Sequence, residues 1–218
     1  MTVRREEAPA QAEERHDDMT PVDTAIDRIE SVNTDFRIME DNTLCVSVPD
    51  AKDRLIAVCT KLQPLFKWTD DYAGVARWLT DNKGKGLVLA GNYGTGKTLI
   101  AKAVCVVIYQ AIRRIPLMVS ATDLGKKIDV VKNACGGIVY IDDVGWEQES
   151  VEYGRRFMAF SETVDEVTKK NGLLIVSTNF SMDQMKTKYG ERIYDRLKFL
   201  ANITVFSGPS HRATAGVI

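Results

Sequence analysis

The sequence contains no C-x-x-C pair. Its four cysteines, Cys45, Cys59, Cys105 and Cys135, stand apart, and only His16 and His211 could join them as ligands. A structural zinc site, which draws sulfur and nitrogen ligands from short, regular spacings, is therefore not expected. Reduced thiols of a cytoplasmic protein are. No apolar stretch approaches the ~20 residues needed to span a bilayer, and the N-terminus lacks the apolar core of a secretory signal, so no membrane partner is implied. An excess of one charge is missing as well: 29 Lys and Arg stand against 30 Asp and Glu, for a net charge of −1. No overall basic field favours nucleic acid, and any such contact must come from a local patch. Internal repeats are absent.

With 218 residues, 44% hydrophobic and 27% charged, the chain has enough apolar material for one globular domain plus an extension. The extension is the N-terminal part. Residues 1 to about 24 set Arg4, Arg5 and Arg15 against seven acidic side chains with almost no large apolar ones, which reads as an acidic, mobile arm. Ile26, Ile29 and Val32 hint at a short amphipathic helix beyond it. We place the arm at 1–43 and the folded domain at 44–218. Within that domain apolar runs alternate with amphipathic stretches: Leu44 to Val48, Gly86 to Ala90, Pro116 to Ser120, Gly137 to Ile141, Leu173 to Thr178 and Ile203 to Phe206 read as extended. Near-continuous β-branched and leucine runs indicate strands buried on both faces, the mark of a parallel sheet between helical layers. About five core strands are predicted. Among the intervening helices, Tyr153, Phe157, Phe160, Val164 and Val167 form one seam at helical spacing.

The chemistry begins at Gly91-Asn92-Tyr93-Gly94-Thr95-Gly96-Lys97-Thr98, between the strand Gly86 to Ala90 and the helical run opened by Leu99. The stretch satisfies G-x-x-x-x-G-K-[ST], a phosphate-binding loop: glycines bring backbone N–H groups close to an anion, and the helix N-terminus adds the positive end of its dipole. Lys97 supplies a charge for the β/γ-phosphates and the Thr98 hydroxyl a ligand for Mg²⁺. A nucleotide with Mg²⁺ is the implied ligand, and a tight structural turn is the alternative. Downstream, Ile138 to Ile141 ends in Asp142 and Asp143, acids that a parallel sheet presents at its C-terminal edge beside the loop. Asp142 is assigned to the metal and Asp143 to the attacking water. Asn179, closing the next strand, is a neutral group able to orient that water. Arg192 and Arg196 lie four apart on one face of a short helix, where a solvated, salt-bridged surface is the simpler reading and an arginine finger into a neighbouring subunit the sharper one.

The order Gly91-x-x-Gly94-x-Gly96-Lys97-Thr98, Ile141-Asp142-Asp143-Val144-Gly145, Ser177-Thr178-Asn179 and Tyr189-Gly190-Glu191-Arg192-x-x-x-Arg196-Leu197 resembles the AAA+ ATPase domain of bacterial replicative helicase loaders of the DnaC/DnaI type and of IstB-type transposition ATPases, over roughly residues 50 to 212. The first two motifs are shared by many NTPases; the Gly-Glu-Arg-x-x-x-Arg-Leu box is characteristic of this group. The resemblance implies a three-layer P-loop fold without a separate lid domain, Arg196 as arginine finger, Asn179 as first sensor and Arg212 as second sensor. It further implies that the nucleotide is ATP, and an ATP-bridged oligomer acting either on a replicative helicase, with single-stranded DNA as a partner, or on a transposase, with duplex DNA. A nucleotide-gated adaptor with little hydrolysis is the remaining alternative. Three departures stand out: Asp143 replaces the glutamate of many relatives, the span Asp123 to Gly137 is short with only Lys126, Lys127 and Lys132 as a basic set, and the N-terminal part is short for a helicase-binding domain.

Overall fold

The computed structural model describes residues 35–39, 41, 43–152 and 155–211. The first elements are an antiparallel pair, β1 (Asp35–Ile38) and β2 (Leu44–Ser47), in register from Asp35 opposite Ser47 to Ile38 opposite Leu44. Regular pairing thus begins inside the stretch that the sequence assigns to the arm. The rest of residues 1–34, including the suggested amphipathic helix, lies outside the described residues.

Helix α1 (Ala51–Leu62) follows and buries Ala51, Leu55, Val58 and Cys59. After a short 3-10 turn at Asp70–Tyr72, α2 (Ala73–Thr80) buries Val75, Ala76, Trp78 and Leu79. The Trp78 indole N–H donates to the Lys85 carbonyl at 2.9 Å, so its polar edge is satisfied within the core. The central strands are β3 (Gly86–Gly91), β4 (Leu117–Ser120), β5 (Ile138–Val144), β8 (Leu173–Thr178) and β9 (Ala201–Phe206). They form one five-stranded sheet in the order β4-β5-β8-β3-β9, with every neighbouring pair parallel. This is the expected α/β P-loop architecture.

Alternation along the strands builds two cores. Leu87 and Leu89 of β3, Tyr140 of β5 and Ile175 of β8 face α1, α2 and α3 (Lys97–Ile112). Val88, Val139, Ile141, Leu174 and Val176 face the opposite layer. That layer contains α4 (Ala121–Leu124), α5 (Ile128–Ala134), α6 (Ala159–Lys170), α7 (Met182–Tyr189) and α8 (Glu191–Leu200). Side chains that are buried whichever way they point explain why these strands read as unbroken apolar runs.

One expected helix is shorter than its seam. Phe157 belongs to β7 (Arg155–Phe157), which pairs antiparallel with β6 (Ser150–Glu152), and α6 starts only at Ala159. Phe157 is buried in the same core as Phe160, Val164 and Val167, so a common destination produced the helical spacing without a common helix. Tyr153 lies outside the described residues.

Candidate functional site

The chain leaves β3 for β4 at the far edge of the sheet and returns through β5 and β8 before β9 closes on the other side of β3. In open α/β sheets the crevice at such a reversal, beyond the C-terminal strand ends, is where ligands sit. Here the ends of β3, β5 and β8 bring together most of the residues singled out from the sequence.

The loop after β3 is shaped by close backbone approach. Gly91 has φ +139°, and a Cβ there would stand 2.1 Å from the Phe206 carbonyl oxygen of β9. Gly96 has φ +87°, and a Cβ would lie 2.3 Å from the Tyr72 hydroxyl, which itself donates to the Thr95 carbonyl at 3.2 Å. Tyr72 is buried within a ring cluster of Phe66, Trp68 and Phe206, with burial pushing its hydroxyl up to about 12. The loop therefore rests on an aromatic floor. The chain beyond β9 also lies against it: the His211 N–H donates to the Gly94 carbonyl at 2.9 Å, and Asp71 accepts from the Gly208 N–H at 2.9 Å.

Lys97, the first residue of α3, is 5% exposed. Its Nζ donates to the Gly91 carbonyl (3.0 Å), the Asn92 carbonyl (2.6 Å) and Asn179 Oδ1 (2.9 Å). The ammonium thus lies over the cradle, held by neutral oxygens, a position from which it can meet an anion. Thr95 Oγ1 donates to the Asn92 carbonyl at 3.0 Å and fixes the opposite limb. Leu99 packs against the α1–α3 core, and Tyr93 is 56% exposed with its ring 6.4 Å from that of Trp146.

The two acids diverge because β5 is irregular at its end. The register with β8 shifts between Ile141 and Val144, and Asp143 adopts φ +57°, a left-handed conformation that aspartate tolerates better than most residues. Asp142 faces α3: its Oδ1 accepts from Thr98 Oγ1 (3.0 Å), from the Tyr140 hydroxyl (2.6 Å) and from the Ser177 hydroxyl. Asp143 turns the other way and accepts from Asn179 Nδ2 at 3.2 Å, while its N–H donates to Ser177 Oγ at 3.0 Å. Ser177 therefore holds both acids. Burial raises the Tyr140 hydroxyl well above its ordinary range, keeping it a neutral donor to Asp142.

Tyr140 and Ser177 were not singled out from the sequence, although signals were present. Residues two apart on a strand share a face, which puts Tyr140 beside Asp142, and a serine inside the buried run Leu173 to Thr178 requires a partner. Glu147 is a further buried acid: it accepts from the Gly145 N–H (2.9 Å) and from the Tyr189 hydroxyl. Lys188 Nζ donates to the carbonyls of Gly145 and Glu147 at 2.6 and 2.9 Å, so α7 fixes the turn that follows Asp143.

Arg196 is not part of this group within one chain. Arg196 and Arg192 both engage Asp165 on α6, Arg192 at 2.9 Å. Arg212 lies outside the described residues. The basic set is partly ion-paired: Lys132 meets Glu162 at 2.6 Å and Lys126 meets Asp123 at 3.8 Å, while Lys127 is exposed. Among the described residues no cluster of three or more His, Cys, Asp or Glu side chains could enclose a metal, and no helix is long and apolar enough to cross a membrane. The four cysteines are free thiols.

Residues 87–200 match the family described as ATPase family associated with various cellular activities (AAA). No curated protein matches the sequence. Among solved structures, AMPPCP-bound DnaA from Aquifex aeolicus aligns with a TM-score of 0.51 at 14% identity, over 67% of this chain and 50% of that one. This chain thus spans half the length of that neighbour, and the likeness is one of fold. The DnaC helicase loader aligns with a TM-score of 0.47 at 16% identity, over 73% of this chain and 92% of its own. DnaI aligns with a TM-score of 0.44 at 21% identity, over 72% and 85%.

Proposed function

Because the chain belongs to the AAA ATPase family, with the matched region covering more than half of it, we propose that it binds Mg²⁺-ATP on the loop Gly91 to Thr98 and hydrolyses it in an assembly of several copies. The observation that carries this reading is the convergence of Lys97, the Thr98–Asp142 pair and the Asn179–Asp143 pair at one end of the sheet. Backbone N–H groups of the loop, the start of α3 and Lys97 receive the phosphates. The hydroxyl of Thr98 and the carboxylate of Asp142, 3.0 Å apart, suit a hard cation that retains waters and phosphate oxygens. That ion, when bound, offsets charge on the β- and γ-phosphates. Asp143 accepts a proton from the attacking water, and Asn179, bonded to both Lys97 and Asp143, fixes where that water stands. Arg196 of a neighbouring copy completes the site by meeting charge that develops on the γ-phosphate. Arg212 is proposed as a contact to the phosphates from within the same chain.

For the biological role we propose a helicase loader of the DnaC/DnaI type, acting in DNA replication with a replicative helicase and single-stranded DNA as partners. The support is the box Gly190-Glu191-Arg192-x-x-x-Arg196-Leu197 following Asn179. Hydrolysis then reports assembly, and turnover releases the partner. Phosphate release with and without single-stranded DNA and replicative helicase tests it. Stimulation by both is expected; stimulation only by duplex DNA with a transposase overturns the loader role, and ATP binding with no turnover under any condition overturns the enzymatic reading. Arg196→Ala is expected to preserve ATP affinity while removing most turnover.

A further inference from the structure

Asp165 sits on α6 between two buried neighbours of the core layer, with Val164 fully buried and Val167 likewise. Across from it, α8 is anchored by Ile193 and Leu197, at 2% and 0% exposure. Two rigidly packed helices thus hold the carboxylate and the arginines at a fixed spacing. One Asp165 oxygen receives Arg196 Nη1 and the other receives Arg192 Nη2.

This division of the carboxylate matters. A guanidinium has five N–H donors, and a carboxylate that grips one arginine with both oxygens consumes two of them in a fork-on-fork pair. Asp165 instead spends one oxygen on each arginine. The Arg196 side chain remains 36% exposed and Arg192 63% exposed, while Asp165 is 23% exposed. Two positive charges against one negative leave the group cationic. Without the carboxylate, two guanidiniums four residues apart on one helix face repel, and each long side chain regains rotamer freedom.

Resting on the reading that Arg196 completes a neighbour's nucleotide site, we propose that Asp165 is the positioning residue for this arginine finger, presenting Arg196 outward while Arg192 balances the carboxylate. Exposed ion pairs contribute little to stability, so the worth of this one lies in orientation. A finger displaced by about 1 Å loses much of its effect on the barrier, on the order of 10- to 100-fold in rate.

Subunit complementation isolates the effect. Full-length Arg196→Ala provides a nucleotide site without a finger, and full-length Lys97→Ala provides a finger without a nucleotide site. Neither hydrolyses ATP alone on the proposed reading, and their mixture recovers turnover where the two meet. Asp165→Asn is then introduced into one member at a time, with fluorescent-nucleotide affinity and thermal unfolding measured on each variant. Expected is a 10- to 100-fold fall in kcat, with KM for ATP unchanged, only when Asp165→Asn is on the Lys97→Ala member. Asp165→Glu on that member is expected to restore part of the loss. Full complementation by the Lys97→Ala/Asp165→Asn protein overturns the inference and leaves the finger intact. An equal loss from Asp165→Asn on the Arg196→Ala member also overturns it, because that member donates no finger. If Arg196→Ala alone retains full turnover, the finger reading itself fails, and with it the role of Asp165.

Discussion

Asn179 Oδ1 accepts from Lys97 Nζ at 2.9 Å, a contact that ties the end of β8 to the first residue of α3. The other half of the same amide donates to Asp143 at 3.2 Å. A single neutral side chain therefore links the ammonium of the loop to the acid proposed to meet the attacking water, and it does so without changing the charge of the site. Asn179→Ala is expected to lower kcat by about 100- to 1000-fold, the cost of removing one preorganised donor beside a reacting centre. ATP affinity should move far less, because Lys97 keeps its contacts to Gly91 and Asn92. Steady-state turnover alongside nucleotide titration checks this; a loss confined to affinity would contradict it.

Ser177 gives a second separation of effects. Its oxygen accepts from the Asp143 N–H and its proton goes to Asp142. Ser177→Ala removes the acceptor of the part-buried Asp143 N–H and one of three donors to Asp142 Oδ1, a cost of about 1 kcal/mol. Urea unfolding should show that loss, and the Mg²⁺ concentration for half-maximal turnover should rise because Asp142 is less well aimed at Thr98. If stability falls and the metal dependence stays as it was, Ser177 supports only the fold.

The strands and the loop were legible in the sequence because both follow local rules. A run such as Leu173 to Thr178, apolar on both faces, has few destinations other than the middle of a parallel sheet, and Gly91 to Thr98 carries its chemistry in consecutive residues. The β6–β7 hairpin was not legible: Phe157, Phe160, Val164 and Val167 share one core and so share a helical spacing, although Phe157 reaches that core from a strand. The support beneath the acids was hidden for a different reason. Ser177 meets Asp142 and Asp143 across 35 and 34 residues of chain, and only the pairing of β5 with β8 brings them together. The aromatic floor under Gly96 depends likewise on Tyr72 arriving from a separate turn.

That floor makes Gly96 a demanding position. Gly96→Ala must hold a side chain at φ +87°, a cost of about 1–2 kcal/mol, and its Cβ meets the Tyr72 hydroxyl at 2.3 Å. The expected result is a lower unfolding midpoint together with loss of nucleotide binding. Adding Tyr72→Phe removes the atom in collision but not the backbone strain. The double variant should therefore regain part of the stability, and a double variant no better than Gly96→Ala would place the whole penalty in the backbone.

Buried thiols and phenols set the alkaline limit of the fold. Burial pushes Cys59 and Cys105 up to about 12 and Cys135 to about 11, from an ordinary 9.0. Tyr72 rises to about 12, and Tyr140 and Tyr189 are raised further, from an ordinary 10.0. Each group keeps its proton longer in the folded chain than in the unfolded one. Above about pH 9 the unfolded chain therefore binds fewer protons, and the free energy of unfolding falls as pH rises. Stability should be flat with respect to these groups below pH 9, begin to fall as the unfolded thiols ionise, and fall more steeply beyond pH 10 when the tyrosines join. Urea midpoints between pH 7 and 11 measure it. The Cys59→Ala/Cys105→Ala double variant, compared with its own midpoint at pH 7, should show a shallower decline between pH 9 and 10; an unchanged slope would exclude those two thiols as its source.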